Sequence, residues 1–296
     1  MDYNKPGYVV SSMIQSGVEK INLSNKDLII RGVLSGAILG FGTTLALTAT
    51  VQTGFAIVGA AIFPACFIIV VLLGLELVTG SFAVLLMSYL DHKIGLLSMI
   101  KNLFLVFVAN LLGGLLYANL FWISITQFGH EEKNAMVQLI VKIAESKTIG
   151  YGQYGTDGLV TAFTKGVLCN WMVTTGVVLG MSSSSSSGKI LGAWLPIFIF
   201  FGQGFEHAVV NMFVIPAGML MGAKVSIGDW WLLNQLPVTL GNLVGGVLFT
   251  SVALYYSFYY KKKPAATTAT LLEDKAAESF PVESEIRKQV LEEQFS

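Results

Sequence analysis

Two stretches of this sequence carry ionisable side chains where water should not reach. Glu76 is the only charged residue in the apolar run 55–89, and Glu206 and His207 lie in the middle of the run 190–223. A charge held in hydrocarbon is costly, so such groups face a protein interior or an aqueous path and serve a function by default. His207, one of three histidines, is the most informative. A neutral imidazole has one N–H to offer an anion and one nitrogen that can take up a proton. The plainer alternative is a core histidine bonded to a backbone carbonyl. Glu76 and Glu206 read either as a proton relay or as carboxylates that accept N–H bonds where a broken helix resumes. Their equivalent positions favour the second. Thr79 offers a hydroxyl at the expected height of His207, and Asn170 an amide at depth in a later run; each can bond an anion or join helices. Phe63, Phe67 and Phe200 are either core or an apolar constriction that is costly for a hydrated ion. Lys165, matched by Arg31, could draw anions into a vestibule, although lysines so placed commonly snorkel to the headgroups.

The elements that must position these groups are membrane spans. Apolar residues are 54% of the 296 and charged residues 12%, with a mean hydropathy of +0.68, against about a quarter charged in ordinary soluble domains. Between Arg31 and Glu76 there are 44 residues without Asp, Glu, Lys or Arg, more than twice the roughly 20 that span a bilayer. Three histidines and two cysteines, Cys66 and Cys169, both inside apolar runs, are too few for a redox or metal centre. Neither a cofactor nor a metal, a catalytic residue or a nucleic-acid partner is expected. The free thiols read as small hydrophobes.

Six apolar runs follow a polar lead-in at 1–31: 32–50, 55–89, 102–128, 158–181, 190–223 and 230–260. The lead-in carries a possible interfacial face at Val18, Ile21, Leu23, Leu28 and Ile29. A polar tail occupies 261–296. The runs 55–89 and 190–223 would each measure about 50 Å as straight helices, against a hydrocarbon core of roughly 30 Å. A break beside the charged residues shortens them, and irregular backbone at membrane depth is tolerated where it lines a cavity.

An internal repeat supports the breaks. Arg31-Gly-Val-Leu-Ser-Gly matches Lys165-Gly-Val-Leu-Cys-Asn at an offset of 134, Gly74-Leu-Glu-Leu matches Gly204-Phe-Glu-His at 130, and Ala109-Asn-Leu-Leu-Gly-Gly matches Gly241-Asn-Leu-Val-Gly-Gly at 132. A repeat of three spans reverses its orientation in the second copy, which places a substrate path at the repeat interface beside discontinuous helices. Asn110 and Asn242 read as glue between helices or as partners for backbone groups freed at the breaks, and Gly113-Gly114 and Gly245-Gly246 as close-approach sites. With both termini inside, 13 Lys/Arg fall on the cytoplasmic side and four outside, as the positive-inside rule favours.

The sequence resembles the formate/nitrite transporter family. The carriers are Phe63-Pro64 leading to Gly74-Leu-Glu-Leu-Val-Thr-Gly80, Lys165-Gly-Val-Leu-Cys-Asn-Trp171, Gly204-Phe-Glu-His-Ala-Val-Val-Asn-Met212 and Leu236-Pro-Val-Thr-Leu-Gly-Asn-Leu-Val-Gly-Gly246. The resemblance spans about residues 5–260. It implies an all-α, aquaporin-like membrane fold without Asn-Pro-Ala, with six transmembrane helices as two inverted three-helix repeats (about 32–128 and 158–260) and helices two and five broken. It further implies a homopentamer with a pore in each protomer. By motif position His207 and Thr79 form the central polar pair with Asn170 nearby, and Leu77, Phe63, Phe67 and Phe200 fall at the apolar slits. Lys147 is the candidate for a vestibule lysine usual in its region.

The implied function is proton-linked passage of nitrite or formate, with lactate, acetate and hydrosulfide as further candidates. The alternative is a neutral-solute pore for water, ammonia or glycerol. The implied setting is the plasma membrane with both termini cytoplasmic, and no enzyme activity. Three features depart from the family pattern: Ser81 stands where Asn is frequent, the Tyr- and Gly-rich stretch 150–155 lengthens the approach to the fourth span, and the polar tail is longer than in many bacterial members.

Overall fold

A computed structural model describes residues 3–131 and 134–260; the polar tail 261–296 and Lys133 of the charge count lie outside the described residues. Pro6 opens α1 (Pro6–Asn22), where the missing N–H would have had no helical partner. Its buried face is Val9, Val10, Met13 and Ile14, packed on Ala83, Val84 and Met87 of a later helix. Of Val18, Ile21, Leu23, Leu28 and Ile29, only Leu28 is buried within the protein, and it and Ile29 belong to the next helix.

Ser24 caps α2 (Asn25–Thr53), its hydroxyl accepting from the Asp27 N–H at 3.1 Å, and Gly54 at φ 75° ends it. The helix therefore starts before the expected residue 32. Then follow α3 (Ala56–Leu72), α4 (Val78–Leu90) and α5 (Leu96–Thr126). The second half contains α6 (Ala135–Lys147), α7 (Gly155–Met181), α8 (Ser186–Gly202), α9 (Ala208–Leu220) and α10 (Ile227–Phe258). Turns of π-helix interrupt α10 at Trp230–Gln235 and Val247–Val252. Among the described residues, α2, α5, α7 and α10 are each long and apolar enough to cross a membrane. The pairs α3/α4 and α8/α9 consist of shorter apolar helices.

Both overlong runs divide beside their glutamates, at 73–77 and 203–207. The two interruptions share a backbone path. Gly74 and Gly204 turn the chain at φ 61° and 64°, a left-handed conformation that a Cβ would strain. Leu77 and His207 then run extended, at φ −122°, ψ 117° and φ −111°, ψ 117°, before α4 and α9 begin.

Glycines set the spacing of the long helices. A Cβ on Gly36 would collide with the Asn110 backbone and one on Gly113 with the Val33 carbonyl, so α2 and α5 meet backbone to backbone. Gly241 and Gly245 do the same for α10 against Phe163 and Val167 of α7. Gly113→Val should force α2 and α5 apart. We expect a loss of about 1–3 kcal/mol, the usual cost of overpacking, read as a lower melting temperature in detergent; an unchanged melt would show that the crossing tolerates a side chain.

Candidate functional site

The site is built outward from two asparagines. Asn110 Nδ2 donates to the Gly32 carbonyl at 2.9 Å and the Glu76 carbonyl at 2.8 Å, while its Oδ1 accepts from Val78 N–H at 3.0 Å. Asn242 repeats the pattern on Gly166 O at 2.8 Å, Glu206 O at 2.9 Å and Ala208 N–H at 2.9 Å. Each interruption frees backbone groups inside an apolar core, and one fully buried amide side chain satisfies them from the neighbouring helix.

That result reassigns the glutamates. The sequence favoured N–H bonds to their carboxylates where the helices resume, but Val78 N–H goes to Asn110, Ala208 N–H to Asn242 and Val210 N–H to His207 Nδ1. The carboxylates turn instead to lysines. Lys20 Nζ donates to both oxygens of Glu76 at 2.8 Å, and Lys147 Nζ to Glu206 Oε2 at 2.7 Å. The lysine backbones are held alike, Asn102 Nδ2 bonding the Lys20 carbonyl at 3.1 Å and Asn234 Nδ2 the Lys147 carbonyl at 2.9 Å. Buried carboxylates need this pairing because an isolated charge would carry an uncompensated desolvation cost.

Glu206 has further partners. Tyr151 donates its hydroxyl to Oε1 at 2.8 Å, and Asn211 Nδ2 bonds Oε2 at 2.8 Å and Asn234 Oδ1 at 2.8 Å. Burial first, and then the Glu206 charge, push the Tyr151 phenol well above its ordinary range, so it stays a donor at any working pH. Lys165 sits 5.6 Å from the Tyr151 ring centroid, a cation–π contact that supports the same tyrosine. Tyr151→Phe should cost about 1–3 kcal/mol, because one oxygen of a buried carboxylate loses its donor. Denaturation in detergent reads this directly, and an unshifted midpoint would mean that the phenol contributes nothing.

His207 lies between these networks. Val210 N–H donates to its Nδ1 at 3.2 Å, so the proton of the neutral ring sits on Nε2, 3.0 Å from Thr79 Oγ1. The two α4 and α9 starts thus place a hydroxyl and an imidazole N–H at one point, though the residues are 128 apart in sequence. Asn170 joins from α7, its amide bonding the Thr79 carbonyl at 3.1 Å and the Asn242 carbonyl at 2.6 Å, and its Oδ1 has no partner among the described residues. The Phe200 ring lies 5.8 Å from the imidazole and is met edge-on by Phe63 at 5.9 Å. Phe63, Phe67, Leu77 and Phe200 are all buried in one cluster.

Two cavities flank the pair. One of about 250 Å³ is lined by Lys20, Phe67, Leu77 and Ser81. The other, of about 190 Å³, is lined by Lys147, Phe200 and His207. Their linings correspond through the repeat: Val70 with Phe200, Gly74 with Gly204, Leu77 with His207 and Val84 with Val214. Each has a lysine at its wall; the first carries Leu77 where the second carries an imidazole, and the first is also lined by Glu19, Arg31 and Glu76. The chemistry available is capture of a small anion at either lysine, followed by hydrogen bonding at Thr79 and His207.

Sequence reading missed Lys20, Asn102, Asn211, Asn234 and Tyr151. Extending the repeat would have found most of them, because Lys20 precedes Glu76 by 56 residues and Lys147 precedes Glu206 by 59. Tyr151 has no counterpart in the first half and left no such signal.

A family model described as formate/nitrite transporter matches residues 7–256. An uncharacterized transporter of Bacillus subtilis, YrhG, is 32% identical over 268 residues, 88% of this chain and 95% of that protein. The formate channel BtFdhC of Bacillus thuringiensis is 32% identical over 88% of this chain and 97% of its own length. A probable formate transporter of Methanothermobacter thermautotrophicus is 33% identical over 78% of this chain. In fold, the chain is similar to an FNT family ion channel, with a TM-score of 0.74 and 23% identity over 84% of this chain and 98% of the other. It is also similar to a pentameric formate channel with formate bound, with a TM-score of 0.65 and 24% identity over 80% and 98%.

Proposed function

The chain belongs to the formate/nitrite transporter family, and on that premise we propose that it passes formate and nitrite across a membrane, as the protonated weak acid, through a pore within each protomer. The family is one of transporters and channels, not of enzymes. The observation that carries the reading is the Thr79–His207 pair at 3.0 Å, enclosed by aromatic rings between two lysine-walled cavities. Lys20 and Lys147 attract the anion. The rings and Leu77 then form a barrier that a charged solute crosses at high cost, and protonation removes most of that cost.

The matched contacts of the two halves support two three-span repeats of opposite orientation; the cytoplasmic placement of both termini rests on the Lys/Arg count, with the plasma membrane as the proposed setting. Large exposed apolar residues, among them Phe41, Leu97 and Leu191, fit lipid and protomer contacts in a homopentamer, as the pentameric structural neighbour suggests. Lactate, acetate and hydrosulfide are substrates of the same chemistry. A neutral-solute pore is the competing reading, and it differs in needing no lysine at either cavity.

The test is uptake of labelled formate and of nitrite into proteoliposomes, with and without an inward proton gradient. Entry of either anion, accelerated by the gradient, is expected. Passage of water or ammonia with neither anion would overturn the function and leave the fold.

A further inference from the structure

The two halves treat one equivalent position differently. Asn211 in the second half bridges Glu206 to Asn234. Its counterpart, 130 residues earlier, is Ser81. Ser81 is 1% exposed, and its Oγ bonds neither Glu76 nor any other group among the described residues. Asn102, the counterpart of Asn234, correspondingly has a buried Oδ1 without a partner. The structural task that occupies Asn211 is therefore not performed by Ser81.

Ser81 lines the larger cavity together with Lys20. Two of the three ammonium hydrogens of Lys20 face the oxygens of Glu76, which leaves one donor for a solute. Around them the wall is mixed: Glu19, Glu76 and a second cation, Arg31, stand with the apolar Phe67, Val70, Leu77 and Val177. A buried hydroxyl with no partner among the described residues, in a cavity whose wall also carries Lys20 and Arg31, is a donor set for a small oxyanion with one charge. Binding sites of this kind fix orientation with few polar groups on an apolar lining.

We propose that Ser81 is a substrate-contacting residue, and that with Lys20 it forms an anion station in the cavity that His207 does not line. The inference rests on the anion-transport reading and adds a residue that selects for oxyanions carrying an oxygen within reach of both donors. Asn211 remains a positioning residue, so the two cavities differ in affinity despite their matched walls.

The experiment measures labelled formate uptake against concentration in proteoliposomes for the wild type, Ser81→Ala and Ser81→Thr. For Ser81→Ala the half-saturating concentration should rise about fivefold or more with the maximal rate within about twofold, as loss of one hydrogen bond to an ion predicts. Ser81→Thr keeps the hydroxyl and should restore the wild-type value. Equal half-saturation in wild type and Ser81→Ala would overturn the inference, and so would a Thr variant that behaves like Ala. If the wild type moves no anion, the function reading fails and the station falls with it, an outcome distinct from an active wild type that ignores Ser81.

Discussion

His207→Ala should cut proton-driven formate uptake about ten- to hundredfold, the worth of one hydrogen bond to an ion in a dry site. The argument is geometric. Val210 N–H occupies Nδ1, so the ring presents Nε2–H and nothing else towards Thr79. Remove the ring and the imidazole N–H at the centre of the path is lost, while Thr79 Oγ1 loses that partner. The imidazole also stacks near Phe200, so the Ala variant widens the constriction. Uptake in the two pH regimes separates these effects. A wider but unselective pore would pass formate without acceleration by the proton gradient, whereas retained acceleration would show that bulk water supplies the proton and His207 does not.

Asn242→Leu should be the most damaging single change for stability. It removes three hydrogen bonds, on Gly166 O, Glu206 O and Ala208 N–H, all from a side chain with no exposed surface. Leucine has about the same size, so the loss is one of satisfaction rather than of packing. Each abandoned buried group costs about 1–3 kcal/mol, and three together amount to about 3–9 kcal/mol, comparable with the whole stability of many proteins. We expect failure to recover folded protein, or a melting temperature lower by tens of degrees where some survives. Asn110→Leu should behave the same way, because it makes the same three contacts in the first half. A variant of either asparagine that folds with near wild-type stability would mean that the interruptions hold themselves.

Much of this molecule is determined by order and composition along the chain. The breaks beside Glu76 and Glu206 follow from runs too long for a bilayer, since a helix cannot shorten without interrupting its hydrogen bonds. Gly74 and Gly204 mark the turns, because only glycine takes that backbone path without strain. His207 announces itself by its type, an ionisable ring in an apolar run. Such local quantities as length, charge and backbone freedom need no partner to be read.

The partners are another matter, and tertiary structure alone decided them. Lys20 looks like a solvated charge in a polar lead-in until α1 docks on α4 and carries it to Glu76. Asn110 and Asn242 could have been glue between any two helices, and only the fold aims them at the freed backbone groups. The carboxylates of Glu76 and Glu206 could accept from backbone or from lysine, and they went to lysine because the asparagines had taken the backbone. Thr79 and His207 meet across 128 residues. A hydrogen bond depends on distance and direction at the scale of an ångström, and a linear sequence carries neither.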